Sequence, residues 1–246
     1  MRLDQLLVDR ELAPSIKAAQ SLIMAGEVLV NEQRVDKPGT MLTEEDAIKL
    51  KKGQAFVSRG GDKLAAALKH FGLEAFVHDK VVMDIGASTG GFTDCVLQLG
   101  AAKVYAVDVG TNQLDWKLRS NEKVNSFEQT DVRDVEWSKF PDIDFIVMDI
   151  SFNSVAKIFE SLPRELFARG LKVLVLIKPQ FELPREDIPR GGVVASAELI
   201  DKAYDTVVAS LTNFNGYKMS RFDSAVKGRK GNQEVFLLLE RKNIAE

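Results

Sequence analysis

Residues 81–92 read VVMDIGASTGGF, and this stretch decides the fold class. Its first five residues are apolar except for Asp84, which is typical of a buried strand, and the glycines that follow predict a turn into a helix. Glycines between a strand and a helix let the backbone approach a ligand closely, and a helix N-terminus favours electron-rich groups. The stretch therefore predicts an α/β protein with a ligand site at residues 86–91.

Strand-like and helix-like patterns alternate around this turn. Apolar runs at 104–107, 145–150 and 173–177 are separated by helical patterns such as 92–99, 113–118 and 197–211, and another helical pattern precedes the turn at 62–71. Alternation of this kind predicts a Rossmann-like, doubly wound and mostly parallel sheet. The last two runs, 217–222 and 235–240, are joined by a glycine-bearing loop without a helix, which predicts an antiparallel pair at the end of the sheet.

A smaller unit precedes this alternation. Residues 3–7 and 16–23 carry apolar side chains at helical spacing, Pro14-Ser15 predicts the start of the second helix, and residues 28–35 predict a short hairpin. Adjacent glycines and exposed charges around residues 51–61 are typical of a connector. We therefore expect a small α+β domain with its connector at 1–58 and a Rossmann-like domain at 59–246.

The composition is that of a globular protein and disfavours several classes. The 246 residues carry a formal net charge of −3, and the single cysteine, Cys95, can form neither an internal disulfide nor a Cys-rich zinc site. The N-terminus MRLDQLLVDR has charges where a signal peptide would be apolar, and no apolar run approaches the ~20 residues of a membrane span. We expect a cytoplasmic protein with no metal site and no membrane partner.

Three ligand classes compete for the turn at residues 86–91. Its G-x-S-x-G pattern matches the nucleophile elbow of serine hydrolases, but both histidines of the chain precede Ser88, whereas the triad histidine follows its serine. A dinucleotide site needs a glycine where Ser88 stands, so it fits poorly. S-adenosylmethionine needs a glycine-lined bend and an acidic group for its ribose hydroxyls, and Asp108 ends the second strand 24 residues after Asp84.

Several motifs, in order and spacing, resemble one family over nearly the whole chain. VVMDIGASTGGFTDCVLQLGA, VDVGTNQLDWKLR, DFIVMDISF, VLVLIKPQFE and GNQEVFLLLE are similar to the hemolysin A (TlyA-type) branch of the FtsJ-like ribose 2′-O-methyltransferases. Residues 1–50 resemble the S4 RNA-binding module of the same family, with Ser15-Ile16-Lys17 where that module usually has Ser-Arg. The resemblance implies an enzyme that methylates ribosomal RNA on a ribose 2′-hydroxyl, that of cytidine in the characterised members.

The resemblance also implies S-adenosylmethionine as the cofactor and a set of residues that bind it. These residues surround the glycine turn or end the neighbouring strands: Asp84, Gly86, Ala87, Ser88, Gly90, Gly91, Phe92, Asp108, Val109, Asp131 and Asp149.

The family's Lys-Asp-Lys-Glu tetrad corresponds here to Lys63, Asp149, Lys178 and Glu234. A ribose 2′-hydroxyl is a weak nucleophile that must lose its proton as the methyl group is transferred. A free lysine has a pKa of about 10.4 and is a poor base at neutral pH unless a second cation and burial lower that value. Lys63 would supply the second cation to Lys178, and the two carboxylates would orient the amines. Without the resemblance, Asp149 could be a helix N-cap and Lys178 and Glu234 a simple ion pair.

Two short segments are strongly basic although the chain as a whole is acidic. Residues 49–63 and 217–230 each have a net charge of +4, which fits either a solvated surface or a polyanionic partner such as RNA. Two aromatic residues that follow strands closely could stack on an extruded nucleotide or cover the end of the sheet. The RNA contacts expected from these features and from the S4 resemblance are Arg2, Ser15, Lys17, Gln20, Lys51, Lys52, Arg59, Phe152 and Phe181.

Two other function classes stay open at this point. The hemolysin name of the family suggests a secreted or surface cytolysin, which the N-terminal sequence and the lack of a long apolar run disfavour. An RNA-binding ribosome assembly factor that keeps the cofactor turn without turnover would carry the same motifs. Methyl transfer to ribosomal RNA separates the enzyme from both.

Overall fold

The chain folds into two units, Met1–Ala55 and Phe56–Glu246, each with its own hydrophobic core. The computed structural model describes residues 1–43, 45–50, 55–168, 170–211, 214 and 216–242. The expected RNA contacts Lys51 and Lys52 lie outside the described residues. Within these ranges, no helix is both long enough and apolar enough to cross a membrane.

The N-terminal unit consists of two helices and a small antiparallel sheet. Its elements are α1 (Leu3–Asp9), α2 (Ile16–Met24), β1 (Val28–Val30), β2 (Gln33–Arg34) and β3 (Ile48–Leu50), with the strand order β2-β1-β3. Each helix buries one apolar face, with Leu3 and Leu7 on α1 and Ala19 and Ile23 on α2. The predicted small α+β unit is confirmed.

The C-terminal unit is built around a mixed sheet of seven strands. They are β4 (Val81–Ile85), β5 (Lys103–Val107), β6 (Val124–Phe127), β7 (Phe145–Met148), β8 (Lys172–Ile177), β9 (Tyr217–Asp223) and β10 (Val235–Arg241), in the order β6-β5-β4-β7-β8-β10-β9. The first five are parallel, and β10 runs antiparallel to both β8 and β9. The predicted mostly parallel sheet with an antiparallel end is confirmed.

Helices cover both faces of this sheet. They are α3 (Arg59–His70), α4 (Glu74–Val77), α5 (Gly91–Gln98), α6 (Trp116–Arg119), α7 (Val155–Ser161), α8 (Arg164–Ala168), α9 (Pro179–Glu182) and α10 (Ala197–Ser210). Val82 of β4 faces one core together with α3 and α5, whereas the next residue, Met83, faces the other core together with α7 and α10. Burial on both faces is why these strands read as continuous apolar runs.

The sequence patterns missed β6. Its four residues, VNSF, are largely exposed because β6 is the edge strand of the sheet, and only Val124 is buried. An edge strand packs less of its surface than a central one, so it carries no apolar run that a sequence pattern can detect.

The parallel strands all end at one edge of the sheet, which we call the carboxyl edge. Ile85 pairs with Val107 on β5 and with Met148 on β7, so the residues that follow these strands stand at the same level. Because β10 runs the other way and pairs Val235 with Ile177, its first residues lie at this edge too. The chain order reverses between β4 and β7, and open α/β sheets bind ligands at such switch points.

Candidate active site

The turn after β4 has two positions that require glycine, Gly86 and Gly90. Gly86 has φ +84° and Gly90 has φ +98°, in the left-handed region that side chains disfavour. A Cβ at Gly86 would lie 2.8 Å from the Asp149 carbonyl oxygen, and one at Gly90 would lie 2.3 Å from Leu118 Cδ1. The turn therefore packs directly against the end of β7 and against α6, and its free side is left for a ligand.

Asp84 is a fully buried carboxyl group directly below this turn. Thr93 Oγ1 donates a hydrogen bond of 2.6 Å to Asp84 Oδ2, whereas Oδ1 has no partner. Burial, opposed by the Thr93 hydrogen bond, raises the pKa of Asp84 to about 7. A buried acceptor without a donor is costly, so the Asp84 Oδ1 atom is suited to a donor or cation of a ligand.

Asp108 stands at the end of β5, the neighbouring strand. Its Oδ2 accepts a hydrogen bond from Ser88 N at 2.8 Å, and its Oδ1 accepts one from Gly110 N at 2.7 Å. The carboxylate keeps further lone pairs for ligand hydroxyls. A shallow pocket, open to solvent, adjoins it and is lined by Ala87, Ser88, Gln113, Leu114, Ser126 and Glu128, among others.

Lys178 follows β8 and is held from two sides. Its Nζ lies 2.6 Å from Asp149 Oδ1 in an ion pair and donates a hydrogen bond of 2.7 Å to Ser151 Oγ. The side chains of Lys178 and Asp149 are 11% and 22% exposed, so solvent and substrate can still reach them. The Asp149 contact lacks hydrogen-bond geometry, which makes Ser151 the group that fixes the direction of the amine.

Lys63 and Glu234 form a second ion pair at the carboxyl edge. Lys63 lies on α3 beside the core residue Leu64, and its Nζ donates to Glu234 Oε2 at 2.5 Å. The side chains are only 10% and 4% exposed. A lysine and a glutamate this deeply buried are rare unless they are paired.

These contacts correct two expectations about the tetrad. The alternative ion pair between Lys178 and Glu234 does not form, because Lys178 pairs with Asp149 and Glu234 with Lys63. Nor is Asp149 the N-cap of α7, a position that Ser154 occupies. Each lysine therefore has its own carboxylate partner.

Two aromatic rings form a rim beside Lys178. Phe152 is 88% exposed and has φ +68°, and its ring centroid lies 5.3 Å from that of Phe181 on α9. Glu182 ties the loops that carry these rings together, because its carboxylate accepts hydrogen bonds from Ser154 Oγ at 2.7 Å and Val155 N at 2.8 Å. Burial raises the pKa of Glu182.

Comparison with known families adds the decisive observation. A model of the FtsJ-like methyltransferases matches residues 56–241, and a model of the S4 domain matches residues 1–48. The chain belongs to the FtsJ-like methyltransferase family.

Relatives of this methyltransferase match over nearly their full length. Hemolysin A of Brachyspira hyodysenteriae is 40% identical over 237 residues, which cover 95% of this chain and 97% of the relative. The 16S/23S rRNA (cytidine-2′-O)-methyltransferase TlyA of Mycobacterium tuberculosis is 35% identical over 241 residues, 97% of this chain and 89% of the relative. A solved structure of a proposed hemolysin from Streptococcus thermophilus has a TM-score of 0.71 at 40% identity, covering 99% of this chain and 89% of that one.

S-adenosylmethionine is the methyl donor of this methyltransferase, and the residues at the carboxyl edge fit it. Asp108 offers lone pairs for the ribose hydroxyls, and the glycine turn at Gly86 and Gly90 leaves room for the backbone to touch the ligand. The unpaired Asp84 Oδ1 is an acceptor for a cationic group. The fit therefore rests on an orphaned acceptor and a close backbone approach.

The structure gives the surroundings of three more of the expected cofactor residues. The ring of Phe92 is 2% exposed and stacks on Phe236 in the core, so only its backbone can serve the turn. Val109 is 68% exposed beside Asp108. Asp131 accepts three hydrogen bonds from Arg133, which engage both of its carboxylate oxygens.

Two of the expected RNA contacts of the N-terminal unit, Arg2 and Gln20, meet at the buried residue Asp4. Arg2 donates to both oxygens of Asp4, at 2.8 and 3.0 Å, and Gln20 Nε2 donates to Oδ2 at 3.0 Å. The Arg2 hydrogen bond lowers the pKa of Asp4. Ser15 caps α2 by accepting from Ala18 N at 3.2 Å, and Lys17 is exposed. Arg2 and Gln20 are thus positioned side by side, whereas Ser15 has a structural task.

Sequence reasoning missed Ser151 and Glu182. Each lies in a quoted motif, DFIVMDISF and VLVLIKPQFE, within four residues of a tetrad member. Their position after a strand was a usable signal, because the segments that follow parallel strands carry the polar groups of such sites. Which groups they would touch depends on how the loops after β7 and β8 pack together, which no local pattern encodes.

Proposed function

We propose that this methyltransferase methylates the 2′-hydroxyl of a cytidine ribose in ribosomal RNA. The observation that supports this function best is the amine of Lys178, held by Asp149 and Ser151 at the carboxyl edge that also carries the glycine turn. A fixed amine beside a methyl-donor site suits removal of a proton from a hydroxyl acceptor. The name of the Mycobacterium tuberculosis relative supplies the acceptor, a cytidine 2′-oxygen in 16S and 23S rRNA.

When bound, S-adenosylmethionine supplies an electrophilic methyl group on a sulfonium centre. Lys178, as the free amine, would accept the proton of the 2′-hydroxyl at Nζ as the methyl group leaves the sulfonium sulfur for the ribose oxygen. Asp149 and Ser151 fix Nζ before RNA arrives, which lowers the entropic cost of reaching the reactive geometry. Lys63 and Glu234 join α3 to the start of β10 and hold that side of the site in place.

Phe152 and Phe181 would receive the target nucleotide. A ribose inside folded RNA is reached by splaying its nucleotide out, and unstacked bases are commonly held against aromatic side chains. An 88% exposed Phe152 on a left-handed backbone is costly for a monomer surface, and a base that covers the ring would offset this cost.

The S4 unit would capture structured RNA through Arg2, Gln20 and Lys17, with Arg59 of the C-terminal unit as a further contact. Because the proposed target is ribosomal RNA, we place the protein in the cytoplasm with a ribosomal subunit as its partner. The segment at 49–63, with its net charge of +4, would add attraction to the phosphate backbone.

The test is methyl transfer with a labelled donor. Purified protein is incubated with labelled S-adenosylmethionine and, separately, with small subunits, large subunits and naked ribosomal RNA from a strain that lacks the gene. We expect label on one or a few cytidines whose 3′-phosphodiester resists alkali, which marks 2′-O-methylation, and a rate about 10²–10⁴-fold lower with Lys178→Ala. Label on a base would refute the ribose assignment. Binding to subunits without transfer would indicate an assembly factor, and liposome leakage without transfer a cytolysin.

A further inference from the structure

The loop between β9 and β10 carries an uncompensated positive charge at the carboxyl edge. Residues 224–233 read SAVKGRKGNQ, with three cations, Lys227, Arg229 and Lys230, and no acidic residue. All three are exposed, and in the described part of the chain none of them makes an ion pair. Arg221, in the same basic segment, differs because Asp201 and Asp223 both pair with it.

Hydrogen bonds fix the backbone of this loop. Gly228 N donates to Asn232 O and Gly231 N donates to Gly228 O, both at 2.9 Å, so the basic residues sit on a tight turn. Asn232 anchors this turn from below, since its buried side chain accepts from Val194 N at 2.6 Å and donates to Gly192 O at 3.3 Å. The cations are therefore presented on a fixed backbone, which reduces the entropy lost on binding.

Two contacts join this loop to the tetrad. Arg59, in the first turn of α3, donates from Nη2 to the Lys227 carbonyl at 2.7 Å, so a fourth cation stands beside the three. At Gly228 an added Cβ would lie 2.6 Å from Glu234 Oε1, which means that the turn packs directly on the Lys63–Glu234 pair. The basic turn therefore borders the Lys63–Glu234 side of the proposed active site.

We infer that the Lys227–Lys230 turn is an RNA-binding element, which grips the phosphates of the strand that flanks the target nucleotide. The inference rests on the proposed RNA substrate and adds a second basic contact, on the C-terminal unit, to the one expected from the S4 unit. Phosphate is the group that fits, because exposed and unpaired lysines and arginines on a rigid turn gain from releasing the counterions of a polyanion. The turn recognises the charge and the spacing of the RNA phosphates and makes no contact with a base.

The test compares two triple variants with the same change in charge. The first is Lys227→Gln/Arg229→Gln/Lys230→Gln. The control is Arg164→Gln/Lys218→Gln/Lys242→Gln, whose exposed residues lie near the opposite edge, where β8 begins. Affinity for a short fluorescent RNA hairpin is measured between about 50 and 200 mM salt. Melting temperature with and without S-adenosylmethionine checks folding and the cofactor site.

We expect the loop variant to bind RNA roughly 10–50-fold more weakly at near-physiological salt, with a salt slope less steep by about 2, because each lost phosphate contact removes about 0.7 from it. The control variant should match wild type, and both variants should keep the melting-temperature rise with S-adenosylmethionine. Equal affinities and slopes for the two variants would overturn the inference, as would lost methyl transfer at unchanged RNA affinity. If wild type binds RNA but transfers no methyl group to ribosomal RNA, the proposed function fails while the binding comparison still decides the role of the turn.

Discussion

Removing one partner of the Lys63–Glu234 pair should be strongly destabilising. The two side chains are 10% and 4% exposed, and their charged atoms lie 2.5 Å apart, so Glu234→Leu leaves the Lys63 ammonium buried without a counter-charge. Breaking a buried pair in this way typically costs about 3–5 kcal/mol. Lys63→Met should cost a similar amount, because it leaves the Glu234 carboxylate alone.

The double variant Lys63→Met/Glu234→Leu should recover most of this loss, since both charges are gone and apolar groups of similar volume fill the space. The same strands offer a matched control. Lys172 and Glu240 form an ion pair of the same residue types at the other ends of β8 and β10, with side chains 24% and 27% exposed. Lys172→Met should cost about 1 kcal/mol or less, because solvent screens a charge at such a site.

The assay is urea unfolding followed by circular dichroism, with methyl transfer measured on the same four proteins and wild type. We expect two unstable single variants, a stable double variant and a stable control, with methyl transfer lost in every variant that lacks Lys63 or Glu234. If the single variants lost no more stability than the control, the argument from burial would be wrong. A stable and fully active double variant would show that the pair belongs to the fold and takes no part in the reaction.

Substitutions at three further residues test the cofactor site, the base and a buried carboxyl group. Asp108→Asn should shrink the rise in melting temperature that S-adenosylmethionine causes, because the ribose hydroxyls lose an ionised acceptor, and an unchanged rise would remove Asp108 from the site. Lys178→Ala and Lys178→Arg should both lose about 10²–10⁴-fold in methyl transfer, since a guanidinium cannot accept a proton near neutral pH; substantial activity in the arginine variant would leave positioning as the role of Lys178. Burial raises the pKa of Asp84 to about 7, so the folded chain holds a proton that the unfolded chain releases near pH 4. The stability from that proton is present below about pH 4 and lost as pH rises to about 7, and Asp84→Asn should abolish this slope in urea unfolding measured across the range.

The parts of the site that the sequence predicts are those fixed by strand ends. Asp84, Asp108 and Lys178 end or follow apolar runs, and the register of parallel strands brings such residues to one edge whatever the loops do. Which carboxylate pairs with which lysine could not be predicted in this way. Lys178 binds Asp149 because the two follow adjacent strands, β7 and β8. Glu234, which directly precedes β10, meets Lys63 because α3 packs into the same core as β10.

Phe92 is a residue whose surroundings could not be predicted from its position in the sequence. Its place directly after the glycines suggests a ligand contact, but the helix that begins at Gly91 turns the ring inward, where it stacks on Phe236 of β10. A residue in the first turn of a helix faces core or ligand according to the direction in which the helix leaves the turn. That direction follows from packing of α5 against α3, where Gly91 comes so close that a Cβ would lie 2.7 Å from Gly61 N.

Glu182 explains how the strained backbone of Phe152 persists beside Lys178. A left-handed φ at Phe152 costs of order 1–3 kcal/mol, and the exposed ring gives little in return when nothing covers it. The two hydrogen bonds that Glu182 accepts, from Ser154 Oγ and Val155 N, lie two and three residues further along and fix the loop in which the strain is stored. Glu182 ends α9, the helix that carries Phe181 and that Lys178 precedes, so the same carboxylate connects the loop of Phe152 to the segment of Phe181 and Lys178. The strain at Phe152 is thus held in place by the segment that carries Lys178, which is the preorganisation that the proposed site for an extruded nucleotide requires.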